Sequence, residues 1–451
     1  MKKIIAITLC SACCGYAAAQ SAFTLEQLLD SARHNNIAIR NARHDIEAAQ
    51  QQRKEALTKY FPNVSAAGLW FNANKGMAQT DINPSEVIPP SLASMAASLP
   101  PEALAALSSP FSVSMLKNGT VAGVTAMQPV FAGGKIVNGN RLAKVGEDVS
   151  RLQLQLSERE VEKTTQQYFW QLASLQEKTK TVAAVEAMLT DIYKDVEVAV
   201  RAGVALRNDL LQVQLRQNEV ESQKLKLQNG IGILKLILAQ YCGLSSAEFT
   251  IRNSEMTPQD SITAQPNDSP STANNSLNRL PEYQLLGKQV EATRLQKLLA
   301  VGQNLPTVAI GAGYNYHNLL DRDHSFAMLF ATVSVPITDW WGGSHAIKRK
   351  KIAYQKAIDE QQDKAQLLTI RMQKAWNDVV EARQQLDIAQ RSIQQAEENL
   401  RLHRDYYRAG TCRMTNLLEA QLLYQQSRDK HTDAYADLQN NLLEYRQATG
   451  Q

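Results

Sequence analysis

The sequence predicts a mainly α protein with a small β part, built as two copies of one unit of long antiparallel coiled-coil helices and a strand pair. Three observations predict it. The stretch VRAGVALRNDLLQVQL at residues 200–215 recurs as YRAGTCRMTNLLEAQL at residues 407–422. Each copy lies between two long runs of helical periodicity that contain no proline. Each half also holds short runs in which the period drops to two, the spacing of a strand with unlike faces.

Aligning Gly203 with Gly410 gives a constant offset of 207 residues (410 minus 203), and Leu210, Leu211 and Gln214 then fall on Leu417, Leu418 and Gln421 without a gap. A repeat of that size is the duplication of a whole supersecondary unit. Both copies read as helix-turn-helix tips. Glycine ends a helix readily because it takes the left-handed conformation without a Cβ clash. Asn208 with Asp209, and Thr415 with Asn416, stand where side-chain oxygens would cap the next helix.

The chain's 48 Lys plus Arg nearly balance its 44 Asp plus Glu, which does not supply the basic field that a nucleic-acid partner needs. Glycine and proline are sparse, and Ala, Leu, Gln, Glu, Lys and Arg dominate, a helical composition. Residues 1–19 read as a secretory signal: Lys2 and Lys3, an apolar run from Ile4 to about Cys14, then Ala17-Ala18-Ala19 before Gln20. The run is too short to span a bilayer as a helix. Cys10, Cys13 and Cys14 leave with the signal, so Cys242 and Cys412 remain and imply no disulfide framework. Neither Cys13 nor Cys14 has the leucine three residues earlier that a lipidation motif usually carries.

The first repeat, residues 20–244, opens with a helix from Thr24 to about Tyr60, where Leu25, Leu28, Leu29, Ile37, Ile39, Ile46, Ala49 and Leu57 recur at helical spacing and Pro62 ends the run. Val64 to Phe71 and Thr120 to Met127 read as strands. Between them the proline-rich insert 74–117 is expected as a long exposed loop that does not continue a sheet. QPVFAGGK at residues 128–135 leads into a helix to about Val200, roughly 100 Å long at about 1.5 Å per residue. Val161, Tyr168, Leu175, Val182, Leu189 and Val196 are spaced by sevens, with Val185 and Ile192 as companions, which makes a coiled-coil seam. A tip at 201–209 leads into a return helix from about Asp209 to Tyr241, and the polar stretch 245–278 reads as a linker.

The second repeat, residues 279–451, follows the same plan. A helix from about Leu280 to Gln303 stops at Pro306, and a strand pair fills 306–336. Thr307 to Tyr316 puts Val308, Ile310, Ala312, Tyr314 and Tyr316 on one face and Ala309, Gly311 and Gly313 on the other. Phe326 to Val335 is its partner across an Asp-Arg-Asp-His turn at 321–324. VPITDWWGGS stands where QPVFAGGK stood. A helix to Tyr407, with Met372, Val379, Leu386, Ile393 and Leu400 spaced by sevens, leads to the tip at 408–416.

Strands of about 9–11 residues are long enough to cross a bilayer when tilted. Four per chain cannot close a barrel, and an open sheet edge in lipid leaves each unpaired backbone group costing several kcal/mol. If these strands cross a membrane, the chain assembles with its own copies: two give about eight strands, three about twelve. The small residues Ala309, Gly311 and Gly313 suit an open lumen and favour three.

The signal, the duplicated order of elements, QPVFAGGK and the two Arg-Ala-Gly tips together resemble the TolC family of outer-membrane efflux proteins, over about residues 21–450. The resemblance implies a homotrimer, with an outer-membrane β-barrel of about twelve strands and a periplasmic α-barrel closed at its tip. It also implies a periplasmic adaptor and an inner-membrane pump as partners, outer-membrane lipid around the strands, and no cofactor. On the same resemblance Asp209, Asn416 and Glu419 fall at the pore constriction, where a symmetric carboxylate ring favours cations. Helix capping by Asp209 and Asn416, with a solvated Glu419, is the other reading of those residues.

Arg201, Ala202, Gly203, Val204, Arg408, Ala409, Gly410 and Thr411 would face adaptor helices, and Arg207 and Arg413 are candidates for ion pairs that hold the tips shut. Trp340 and Trp341 suit an aromatic belt at the membrane interface, or burial where barrel meets helices. The chain departs from the usual pattern in its long 74–117 insert and in Asp-Trp-Trp-Gly-Gly where the first copy has Phe-Ala-Gly-Gly.

Enzymatic readings find little support. His34, His44, His317, His324, His345, His403 and His431 show no metal-ligand spacing, and Cys412 near Met414 is a poor copper motif, better suited to packing at the tip. No nucleophile elbow, phosphate loop or dinucleotide fingerprint stands where strand and helix would give it meaning. A reading from another class is a periplasmic coiled-coil adaptor or spacer, which needs a signal and long helices but no strand pairs of bilayer length. The tunnel walls do not specify a cargo.

Overall fold

The computed structural model describes residues 22–82, 111–252, 277–319, 322–337 and 339–450. The signal segment with its cysteines, the prolines of the insert from Pro84 to Pro110, residues 253–276 of the linker and Asp321 of the expected turn lie outside them. The described elements are β1 (Ala22–Phe23), α1 (Leu25–Asn35), α2 (Ile37–Thr58), β2 (Asn63–Asn72), β3 (Ala78–Ile82), β4 (Phe111–Met115), β5 (Asn118–Phe131), α3 (Lys135–Arg201), α4 (Arg207–Cys242), β6 (Thr250–Ile251), α5 (Pro281–Gln303), β7 (Thr307–Leu319), β8 (Arg322–Ser334), α6 (Asp339–Arg408) and α7 (Met414–Thr449). They fall into two compact units, one of residues 1–49, 146–290 and 356–451, the other of residues 50–145 and 291–355.

In the first unit the heptad seam is realised. Val161, Val182, Val185, Leu189, Ile192 and Val196 of α3 are all buried, as are Met372, Val379 and Leu400 of α6. Between the latter run Ala375, Ala382, Ala389 and Ala396, also buried and again seven apart, so a row of methyls alternates with the larger side chains. A central core joins Leu28, Ile39, Phe169, Trp170, Leu172, Leu238 and Tyr435.

Two expectations are corrected here. The first helix is not continuous, because Asn36 is extended at φ −63° and ψ 133°. Its side chain makes the break, since Oδ1 accepts from the Ala38 N–H at 2.8 Å and Nδ2 donates to the Tyr241 carbonyl at 2.9 Å. The linker is not wholly irregular either. Thr250 and Ile251 pair in parallel with Ala22 and Phe23, and Phe249 is buried edge-on against Phe23 with centroids 5.8 Å apart. Cys242 closes α4 in the same core, where burial pushes its thiol up to about 11 and leaves it unreactive.

In the second unit β2, β5, β7 and β8 form one antiparallel sheet in the order β2-β5-β7-β8. One face carries Val64, Trp70, Val124, Ile310, Tyr314, Leu329 and Val333, all exposed, with Leu329 at 87%. The other face is not as bare as β7 alone suggests. The Phe330 ring of β8 lies where a Cβ on Gly311 would sit, and the Asn315 side chain fills the same space at Gly123. Those glycines make room for cross-strand neighbours.

The insert is corrected as well. At its base Ala78–Ile82 pairs antiparallel with Phe111–Met115, so the chain does form a short ladder there. Arg322 pairs with Leu319, so Arg322, Asp323 and His324 of the expected turn belong to β8.

The two Gly-Gly pairs differ in role. Gly133 and Gly134 are left-handed, at φ 61° and 76°, ahead of α3, whereas Gly342 and Gly343 lie inside α6. A Cβ on Gly133 would run into the Gly302 carbonyl, whereas one on Gly134 would meet only the Asn138 side chain, at 3.5 Å. Gly133→Ala is therefore expected to cost roughly 2–4 kcal/mol through strain and clash, and Gly134→Ala roughly 1 kcal/mol through strain alone. Thermal unfolding of the two variants side by side measures the difference.

Candidate functional site

The tips are built by the same hydrogen bonds twice. In the first, Ala202 N–H donates to Val198, Gly203 to Val200 and Val204 to Ala199, at 3.0, 3.1 and 2.9 Å. In the second, Ala409 donates to Asp405, Gly410 to Tyr407 and Thr411 to Tyr406, at 3.0, 3.0 and 2.9 Å. Every donor and acceptor is shifted by the repeat offset. Gly203 and Gly410 are left-handed at φ 74° and 73°, yet nothing lies within 4 Å of a Cβ on either. Conformation, not crowding within the chain, demands glycine there.

The capping residues differ from expectation. The N-caps are Leu206 and Arg413, and neither makes a side-chain cap bond. Asp209 and Asn416 lie inside the first turn, their N–H groups donating to the carbonyls of Leu206 and Arg413 at 3.0 and 3.1 Å. Capping is thus not what these side chains do. Asp209 is half-buried, and Asn416 and Glu419 are exposed. Burial raises the Tyr407 phenol above its ordinary value, and Asp209, Cys412 and Asp195 raise it further.

The ion pairs at the tips also differ. Arg201 pairs with Glu197 at 2.9 Å and Arg408 with Asp195 at 4.0 Å, the latter joining α6 to α3. Among the described residues no ion pair within the chain uses Arg207 or Arg413. Ala202, Gly203, Val204, Ala409, Gly410 and Thr411 are exposed, and so is Leu206. Cys412 packs at the tip as expected, its thiol toward the carbonyls of His403 and Arg413 and raised by burial. Trp341 is 83% exposed within α6, which removes burial within the chain, while the Trp340 side chain lies outside what is described.

Beneath the tips lies a polar group that the sequence reading missed. Val196, Val213, Val220, Leu400, Met414 and Leu417 join both hairpins in one apolar core. Within it Arg216, 8% exposed, donates from Nε to Gln421 at 2.9 Å and through its terminal nitrogens to Gln425 at 2.9 Å and Glu219 at 2.8 Å. Gln425 in turn donates to Gln223 at 2.8 Å. A guanidinium of α4 thus holds two glutamines of α7. Its signal was present: Val213, Arg216 and Val220 share one helical stripe, so a charge sits on a buried seam.

Residues 273–451 match the family model described as outer membrane efflux protein. The matched residues are those of the second repeat. No curated relative matches the sequence. Among solved structures, the outer membrane protein VceC from Vibrio cholerae is 15% identical, with 94% of this chain and 96% of that chain covered and a TM-score of 0.73. The Campylobacter jejuni CmeC outer membrane channel is 14% identical, with 94% and 85% covered and a TM-score of 0.75. The open-state Neisseria gonorrhoeae MtrE outer membrane channel is 14% identical, with 94% and 88% covered and a TM-score of 0.72. At such identity the likeness is one of fold. It extends over both repeats, and the solved structures are an outer membrane protein and outer membrane channels.

Proposed function

We propose that the protein is the outer-membrane channel of an efflux or type I secretion system, a homotrimer exporting small molecules through a pore gated at its periplasmic tips. The sheet carries this reading: four strands of 10–14 residues with an exposed apolar face, and the outer edges of β2 and β8 unpaired among the described residues. Among the described residues no helix is long and apolar enough to cross a membrane. Lipid tolerates no open edge. If β8 of one copy pairs with β2 of the next, three copies close a ring of about twelve strands, wide enough for a lumen.

The tips supply the rest of the reading. Val204, 81% exposed, and Leu206, 71% exposed, are apolar side chains without cover in a single chain, as a docking face for adaptor helices requires. An inner-membrane pump would select the cargo. Asp209 and Glu419, with Asn416, would ring the constriction. Trp341, with Trp340 beside it in sequence, would sit at the membrane interface.

The test is the membrane fraction and the detergent-solubilised mass of the mature protein. The expected species stays in the outer membrane through carbonate extraction and runs at about three times the chain mass. A carbonate-soluble monomer or dimer would instead favour the coiled-coil spacer, because four strands cannot satisfy their own edges in lipid.

A further inference from the structure

His317 and His324 stand directly opposite each other in the register of β7 and β8. Their imidazole centroids are 5.3 Å apart, with planes inclined at 45°. Phe326 flanks both rings, with centroids 6.2 Å from His317 and 5.9 Å from His324. His317 Nδ1 is buried and has no hydrogen-bond partner. On the opposite face Asp323 accepts from the Tyr316 hydroxyl and from the Asn318 side-chain amide, both at 2.8 Å. Those bonds fix the strand register beside the pair, so the two rings are held opposite each other before any ligand arrives.

Stacking accounts for the phenylalanine but leaves a buried imidazole nitrogen unpaired, a cost that a bound cation would offset. The spacing suits one. With a metal-to-nitrogen distance of about 2.0–2.1 Å, and about 1.1 Å more to the ring centre, two imidazoles at a tetrahedral angle place their centroids roughly 5.1 Å apart. We propose that His317 and His324 together bind one borderline divalent cation, Cu2+, Ni2+ or Zn2+, with water completing its coordination. Hard cations are disfavoured, since Asp323, the nearest carboxylate along the strand, is engaged on the opposite face. Among the described residues no group of three or more His, Cys, Asp or Glu could hold a metal, so the site has two protein ligands and exchanges its ion readily.

The pair lies on the same face as Gly311 and Gly313. Placing the cation in a lumen rests on the channel reading above, whereas the binding itself does not.

The test titrates the full chain in detergent with Cu2+ alone and reads the electron paramagnetic resonance spectrum. One Cu2+ per chain is expected, with hyperfine structure from two nitrogens. His317→Ala and His324→Phe should each weaken binding by about tenfold or more and remove one nitrogen from the spectrum, while His345→Ala, an exposed histidine on α6, should bind as the parent does. His324→Phe keeps a ring against Phe326, so its loss of binding cannot be misfolding of the hairpin. Absence of Cu2+ binding in the parent, or unchanged binding in either strand variant, overturns the site. A protein that proves to be no channel would leave this titration unaffected.

Discussion

Arg216→Met is expected to destabilise the helical unit by roughly 3 kcal/mol, followed by loss of helicity on heating or in denaturant. The methionine matches the stem of arginine but offers no donors. Gln421 Oε1 and Gln425 Oε1 would then be buried without partners between α4 and α7, each at about 1–3 kcal/mol. The strain already present at this point adds to the effect, because Gln421 Nε2 is buried with no hydrogen-bond partner. Arg216→Lys should fall between, since an ammonium reaches one glutamine but not both in a fixed fork. The double variant Arg216→Met with Gln421→Leu should recover part of the loss, as an apolar pair replaces a broken polar one. Equal stability of the parent and Arg216→Met would show that the network binds nothing together.

Arg216 also marks the boundary of what the sequence could tell. Periodicity finds elements whose partners lie on the same stripe, so the α3 seam from Val161 to Val196 and the tips at Gly203 and Gly410 were legible before any coordinates. The repeated tip hydrogen bonds, identical after the repeat offset, follow from the repeated Arg-Ala-Gly. Features fixed by distant partners were not legible. Asn36 breaks the first helix because its amide reaches Tyr241, more than 200 residues away, while the apolar spacing runs on unbroken. Phe249 and Ile251 lie in a polar stretch, yet pack against the first strand. The base of the insert pairs although its interior is rich in proline. On β7 the small face looked empty because Phe330 comes from the neighbouring strand, and only the register brings it over Gly311. At the tips the expected caps moved to Leu206 and Arg413, which freed Asp209 and Asn416 from that role.

That freedom sets the other large expectation. In planar bilayers, Asp209→Asn with Glu419→Gln should lower cation selectivity roughly threefold or more, and Asp209→Ala with Glu419→Ala should also raise single-channel conductance. The amide variants remove charge at constant size, whereas the alanine variants remove both, so the pair separates electrostatics from steric closure. Screening provides an internal check, because the Debye length falls from about 30 Å at 0.01 M salt to about 3 Å at 1 M. A loss of selectivity that is large at low salt and absent at high salt identifies the carboxylates as the cause; unchanged conductance and selectivity at low salt would remove them from the gate. Asn416 allows the converse experiment. It is exposed in the first turn of α7 with no cap bond to lose, so Asn416→Asp adds one charge per chain at the tip at little structural cost and should raise cation selectivity above that of the parent.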